Sequence, residues 1–127
     1  MIEVKNLSKQ FKAPTEEKGL FGPKKKAFWA VKDLGFQIKK GSVASILGPN
    51  GCGKTTTLRM IAGMLTPSRG TVFVDSVDVR KDKQTVKSKI GYMTNNTSLY
   101  DRLNVIETVK FFAELNQIPA DVYLSLI

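Results

Sequence analysis

Gly48-Pro49-Asn50-Gly51-Cys52-Gly53-Lys54-Thr55 is the stretch that decides the fold. Its pattern is G-x-x-x-x-G-K-T, and it separates two segments of different periodicity. Before it, Val43-Ala44-Ser45-Ile46-Leu47 is a short apolar run bounded by glycines, which predicts a strand buried on both faces. After it, Leu58, Ile61, Ala62 and Leu65 recur at i, i+3, i+4 and i+7, which predicts a helix over about 54–63. Gly63 and Pro67 stand where that helix should stop. Strand, glycine-rich loop and helix, in that order, form the arrangement in which such a loop holds phosphate.

Each residue type has a physical reason to be there. Gly48, Gly51 and Gly53 let the backbone wrap closely, so that N–H groups point inward as an anion nest. Pro49, Asn50 and Cys52 fill the loop between them. The loop ends at a helix N-terminus, whose unpaired N–H groups and dipole add positive potential. Lys54 supplies a point charge for the β- and γ-phosphates, Thr55 a hydroxyl for Mg²⁺, and Thr56 continues the first turn. A dinucleotide fingerprint is excluded, because the spacing is G-x-x-G-x-G rather than G-x-G-x-x-G.

Further out, Ile2 to Phe11 alternates loosely and suits an edge strand, while Ala30 to Ile38 alternates better and reads as a strand. Residues 13–27 are rich in Gly, Pro and charge and read as a loop or insertion. Thr71–Asp75 reads as a strand ending in an Asp75-Ser76 hairpin turn. Asp75 is therefore not the metal-binding aspartate of a second core strand. Ile90–Met93 is one more candidate strand. Asn104 with Glu107 predicts a capping box, opening a helix that buries Val105, Val109, Phe112 and Ala113 and ends before Pro119. The apolar tail Val122–Ile127 has no turn signal and reads as a chain cut inside a larger fold.

Composition narrows the chemistry. The 127 residues are 42% hydrophobic, enough for a core. No apolar stretch reaches 18 residues, and the N-terminus lacks a signal-peptide run. A single cysteine excludes a disulfide framework, and the absence of histidine excludes His-based metal sites and His-activated nucleophiles. The net charge of +9 favours an anionic partner without choosing it.

With its flanks, Leu47–Leu58 resembles the start of an ATP-binding cassette (ABC) transporter ATPase. Val31-Lys32-Asp33-Leu34 precedes it; Gly63-Met64-Leu65-Thr66-Pro67-Ser68-Arg69-Gly70-Thr71-Val72 and Ile90–Met93 follow it. Leu99–Leu103, Glu107 and Phe111–Leu115 are similar to the sodium-extrusion type of cassette. The resemblance implies an α/β P-loop NTPase core with an antiparallel β layer, incomplete at its C-terminal end. Residues 1–127 would be the N-terminal part of a nucleotide-binding domain, with 1–100 the ATP-binding core and 101–127 the start of a helical subdomain. It implies ATP and Mg²⁺ as cofactors, a transmembrane permease subunit and a second nucleotide-binding subunit as partners, and a place on the cytoplasmic face of a membrane.

Residue by residue, the resemblance assigns adenine stacking to Phe11, with Phe28 and Trp29 as rivals, since 13–27 blurs the correspondence. It assigns Asn95 to the position of a Gln that contacts Mg²⁺ or its water. Asn is one methylene shorter, which favours a water bridge, and Asn95 is equally readable as a turn residue. The family's signature sequence, its Asp-Glu strand and its switch histidine have no match in this sequence. No catalytic residue is therefore assigned, and the chain alone is expected to bind ATP without hydrolysing it. A GTPase would show N-K-x-D and D-x-x-G, which are missing. A small kinase would favour an acceptor over water. A nucleic-acid module would show a basic stripe studded with aromatics, and none is present, so nucleic acid is not an expected partner.

Overall fold

The computed structural model describes residues 1–19, 22–94 and 102–125, with 14–19 and 22–25 described through their backbone alone. Two compact units result, Met1–Tyr92 and Met93–Ile127.

The first unit is built on an antiparallel sheet of β1 (Ile2–Gly19), β2 (Gly22–Ile38), β3 (Arg69–Val74) and β4 (Val77–Asp78), in the order β2-β1-β3-β4. β1 is not the edge strand that its loose alternation suggests. It pairs with β2 along its length and with β3 from Ile2 to Ser8. Its alternation is loose because the ladder is bulged. Core-facing positions run Val4, Leu7 on β1 and Leu34, Val31 on β2, each a step of three rather than two. The extra residues fall beside Asn6 (φ 48°) and Asp33 (φ 50°), left-handed conformations that Asn and Asp tolerate better than other side chains. Asn6 Nδ2 donates to Asp33 Oδ1 at 3.0 Å, and the buried Ser8 Oγ accepts from Asp33 N–H at 2.9 Å.

The described part of 13–27, residues 13–19 and 22–27, is not a loop. The β1–β2 ladder continues through Ala13↔Lys26 and Lys18↔Pro23 to Gly19↔Gly22. Beyond Ser8↔Arg69 this is a two-stranded ribbon, whose backbone bonds are satisfied within the pair and place no demand for apolar alternation on the sequence.

Helix α1 (Lys54–Ile61) packs on this sheet. Of the predicted stripe, Ile61 and Ala62 are buried and Leu65 packs against the core, whereas Leu58 is 44% exposed; Thr57 and Met60 are buried beside them. The helix ends as predicted. Gly63 (φ 70°) donates to Met60 O and Met64 N–H to Arg59 O, a Schellman motif that needs the left-handed residue. One cluster of Val4, Leu7, Val31, Met60, Ile61, Val72, Val74, Val79 and Val86 joins the sheet, α1 and α2 (Lys83–Ser88). The short α2 was not legible in the sequence; Asp82 caps it, accepting from Thr85 N–H at 3.0 Å.

Two predicted strands do not form. Residues 43–47 and 90–93 are outside the sheet, and Val43 and Leu47 are 98% and 90% exposed. An apolar run becomes a strand only where a neighbour offers backbone partners, and neither run pairs with a strand among the described residues. The α/β class holds, with α1 packed on the antiparallel layer; the segment before the loop has no strand partner among the described residues.

The Asp75-Ser76 turn is as expected. Both residues have positive φ (45° and 68°), as a two-residue type I′ hairpin requires. Asp75 accepts from the amino terminus of Met1, whose ammonium holds its carboxyl below the usual range. It serves the sheet, not a metal site.

The second unit contains α3 (Val105–Leu115) and α4 (Ala120–Leu124). The capping box is complete: Asn104 Oδ1 accepts from Glu107 N–H at 2.9 Å, and Glu107 Oε2 accepts from Asn104 N–H at 2.8 Å. Of the four side chains expected to be buried on α3, only Ala113 is. Val105 is 79% and Phe112 40% exposed, because helical periodicity marks an apolar face without supplying the layer that covers it. The tail at 122–124 is helical, within α4.

Candidate phosphate-binding loop

Gly53 sets the geometry of the site. It is the residue before α1, held at φ 95°, with no side chain to cap the helix. The first N–H groups of α1 therefore have no intrahelical acceptor and no cap, and no acidic residue lies in the first turn. Gly53 also lies against β2. A Cβ there would sit 2.4 Å from Ala30 O and 2.9 Å from Val31 Cγ2. The loop is thereby seated on the sheet through backbone contact that any side chain would break.

The Lys54 side chain folds back over the loop. Its Nζ donates to Gly48 O at 2.6 Å and Pro49 O at 2.7 Å and stands 3.9 Å from Cys52 Sγ. Cys52 N–H donates to Pro49 O, closing a tight turn. Six predicted residues, Gly48, Pro49, Asn50, Gly51, Cys52 and Lys54, thus form one loop around a single ammonium. Thr55 is exposed and Thr56 half-buried on the first turn. A hydroxyl at Thr55 is a hard oxygen donor suited to Mg²⁺. The described residues contain no group of three acidic, Cys or His side chains for a metal, so a divalent ion here would take most of its ligands from phosphate oxygens and water.

Phe11 lies apart from the loop, on β1, and pairs with Phe28 on β2. Their ring centroids are 5.9 Å apart, tilted by 33°. Lys9 Nζ stands 5.2 Å from the Phe11 centroid and donates to Thr66 O at 2.8 Å. Ala30, the residue that touches Gly53, is two positions from Phe28. Trp29 carries the Arg69 guanidinium over its ring at 5.3 Å. Asn95 lies outside the described residues. Sequence reasoning missed the contact between Ala30 and Gly53; closeness of backbones leaves no mark on composition, beyond the glycine itself.

A loop of this geometry at a helix N-terminus defines an anion cradle of the P-loop type. The chain belongs to the ABC transporter family: residues 31–126 match the family model of that description. The ABC transporter ATP-binding protein NatA of Bacillus subtilis (strain 168) is 47% identical over 96 residues, covering 75% of this chain and 39% of NatA. Phospholipid-transporting ATPase ABCA3 of Homo sapiens is 33% identical over 114 residues, covering 90% of this chain and 6% of that protein. Among solved structures, the post-hydrolysis dimer of the ATP-binding cassette MJ0796 bound to ADP and Pi superposes with a TM-score of 0.72 at 27% identity. That match covers 94% of this chain and 50% of the cassette chain. The chain thus spans half or less of each of these proteins. No helix among the described residues is long and apolar enough to cross a membrane.

Proposed function

We propose that this chain is the ATP-binding portion of an ABC transporter ATPase, with residues 1–100 its nucleotide-binding core and 101–127 the start of its helical subdomain. The observation that carries the reading is the Gly48–Thr55 loop closed around Lys54 Nζ at the uncapped start of α1. When phosphate enters, the ammonium exchanges two neutral carbonyls for anionic oxygens, which form stronger, charge-assisted bonds. The loop N–H groups and the first turn of α1 hold the β-phosphate, and the Thr55 hydroxyl holds Mg²⁺ together with phosphate oxygens. Asn95 is assigned to the water shell of the same ion. Phe11 lies on the aromatic part of the hairpin that receives adenine, and stacking on an aromatic ring is worth about 1–3 kcal/mol.

The whole protein, in this reading, hydrolyses ATP to drive transport, paired with a second nucleotide-binding subunit and docked on a transmembrane permease at the cytoplasmic face of the membrane. The similarity to NatA supports the sodium-extrusion type. The 127 residues by themselves bind nucleotide without turning it over, because none of their carboxylates is assigned to position the attacking water.

Cys52 offers a direct test. Its thiol is exposed, lies inside the loop and is the only thiol in the chain. Mg-ATP at ~10 times its Kd should slow its alkylation by iodoacetamide by up to about tenfold if phosphates fill the loop. Equal labelling with and without Mg-ATP would contradict the proposed site.

A further inference from the structure

The face of the sheet turned away from α1 is charged where the other is apolar. On β3, Val72 and Val74 are buried in the core, and Thr71 and Phe73 alternate with them and face outward. Lys5 on β1 shares that side, its Nζ 5.2 Å from the Phe73 centroid. Val31 of β2 pairs with Lys9 and Trp29 with Gln10, so Ala30 between them is bulged. The bulge turns Trp29 to the side opposite the buried Val31, together with Lys32 and Asp33.

Two depressions open on this face. One is lined by Trp29, Lys32, Asp33 and Arg69, the other by Lys5, Thr71, Asp78, Arg80 and Lys81. They share Asn6 and Gly70 and so form one groove across the strands. The floor between them is backbone. Gly70 (φ 72°) lies so close to β1 that a Cβ would stand 2.3 Å from the carbonyls of Lys5 and Asn6. From Trp29 on β2 to Arg80 beyond β4 the groove crosses the order β2-β1-β3-β4, about 14 Å at ~4.8 Å per strand interval.

Its charge selects an anion. Lys5, Lys32, Arg69, Arg80 and Lys81 are all exposed. The two carboxylates among them are occupied within the sheet: Asp33 Oδ1 accepts from Asn6 Nδ2, and Asp78 Oδ1 from Thr71 Oγ1 and Arg80 N–H. Arg80 Nη1 donates to Gly70 O at 3.2 Å, which anchors its guanidinium at the groove. Trp29 and Phe73 each carry a cation, Arg69 at 5.3 Å and Lys5 at 5.2 Å. Neither therefore offers a bare ring for a nucleobase to stack on, or an apolar anchor for a lipid surface. A guanidinium at either end suits carboxylates, which it binds through paired N–H groups. We propose that this groove docks an acidic segment of a partner protein in extended form. About four residues, at ~3.4 Å each, span it, with carboxylates on Arg69 at one end and Arg80 at the other. The inference does not depend on the nucleotide reading of the loop.

The probe is fluorescein-labelled hexaglutamate, titrated with the 127-residue chain and read by anisotropy. Saturable binding is expected, weakened about tenfold or more between about 0.05 M and about 0.5 M NaCl as screening tightens. Arg69→Gln with Arg80→Gln should weaken it about tenfold, a few-fold for each exposed ion pair. Lys32→Gln with Lys81→Gln should weaken it several-fold as well. These two lysines enter no salt bridge among the described residues, so this second pair reads the groove even if the first disturbs the sheet. Lys87→Gln with Lys89→Gln removes the same charge at α2 and should change the affinity less than about twofold. Equal weakening by the groove pairs and the α2 pair would mean that net charge alone draws the peptide, and would overturn the proposal. No saturable binding would overturn it too, as would tighter binding of a single-stranded oligothymidylate or of phosphatidylserine vesicles at the same ionic strength.

Discussion

Lys54→Ala should abolish nucleotide binding while leaving the fold standing. In the free protein Lys54 Nζ bonds only to exposed loop atoms, the Gly48 and Pro49 carbonyls, which water replaces at little net cost. In the complex the same ammonium would face the β- and γ-phosphates in a partly desolvated loop. Truncating one partner of such a charge pair costs about 2–5 kcal/mol, which is roughly 30-fold to several thousandfold in Kd. Calorimetric titration with Mg-ATP and a thermal melt of the same sample separate the two effects. Loss of binding with an unchanged melting temperature is expected. Binding within threefold of the wild type would remove Lys54 from the site.

Gly53→Ala should instead damage the fold and the loop together. The residue is left-handed, a conformation that costs a side chain about 1–2 kcal/mol. The added Cβ would also stand 2.4 Å from Ala30 O, a backbone atom of a paired strand that cannot rotate away. Overpacking of this kind adds about 1–3 kcal/mol. A destabilisation of about 3 kcal/mol follows, read as a fall of roughly 10 °C or more in melting temperature. Gly51→Ala is the control: its Cβ would meet nothing within 4 Å, so it keeps only the conformational cost. Equal melting temperatures for the two variants would mean that Gly53 is not seated on β2.

These two residues mark what the sequence disclosed well. Gly53, Lys54, the start of α1, the Gly63 stop, the Asp75-Ser76 turn and the Asn104–Glu107 capping box are local events, each specified by a few adjacent side chains. What depends on a distant partner was read less well. Val43–Leu47 has the composition of a buried strand, yet lies outside the sheet with Val43 and Leu47 exposed. The segment 13–27 has the composition of a loop, yet its residues 13–19 and 22–27 belong to paired strands. The bulges at Asn6, Asp33 and Ala30 hid the core phase, since a period of two interrupted by threes resembles weak alternation.

On the proposed function, these 127 residues hold the phosphate cradle of an ABC ATPase without the groups that complete its chemistry. The most direct measurement is Mg-ATP binding and phosphate release on one purified sample of the chain. Saturable binding, lost in Lys54→Ala, is expected, with phosphate release indistinguishable from buffer. Release on the order of 1 s⁻¹, persisting in Asp75→Asn, would contradict it, as would the absence of any Mg-ATP binding by the folded chain.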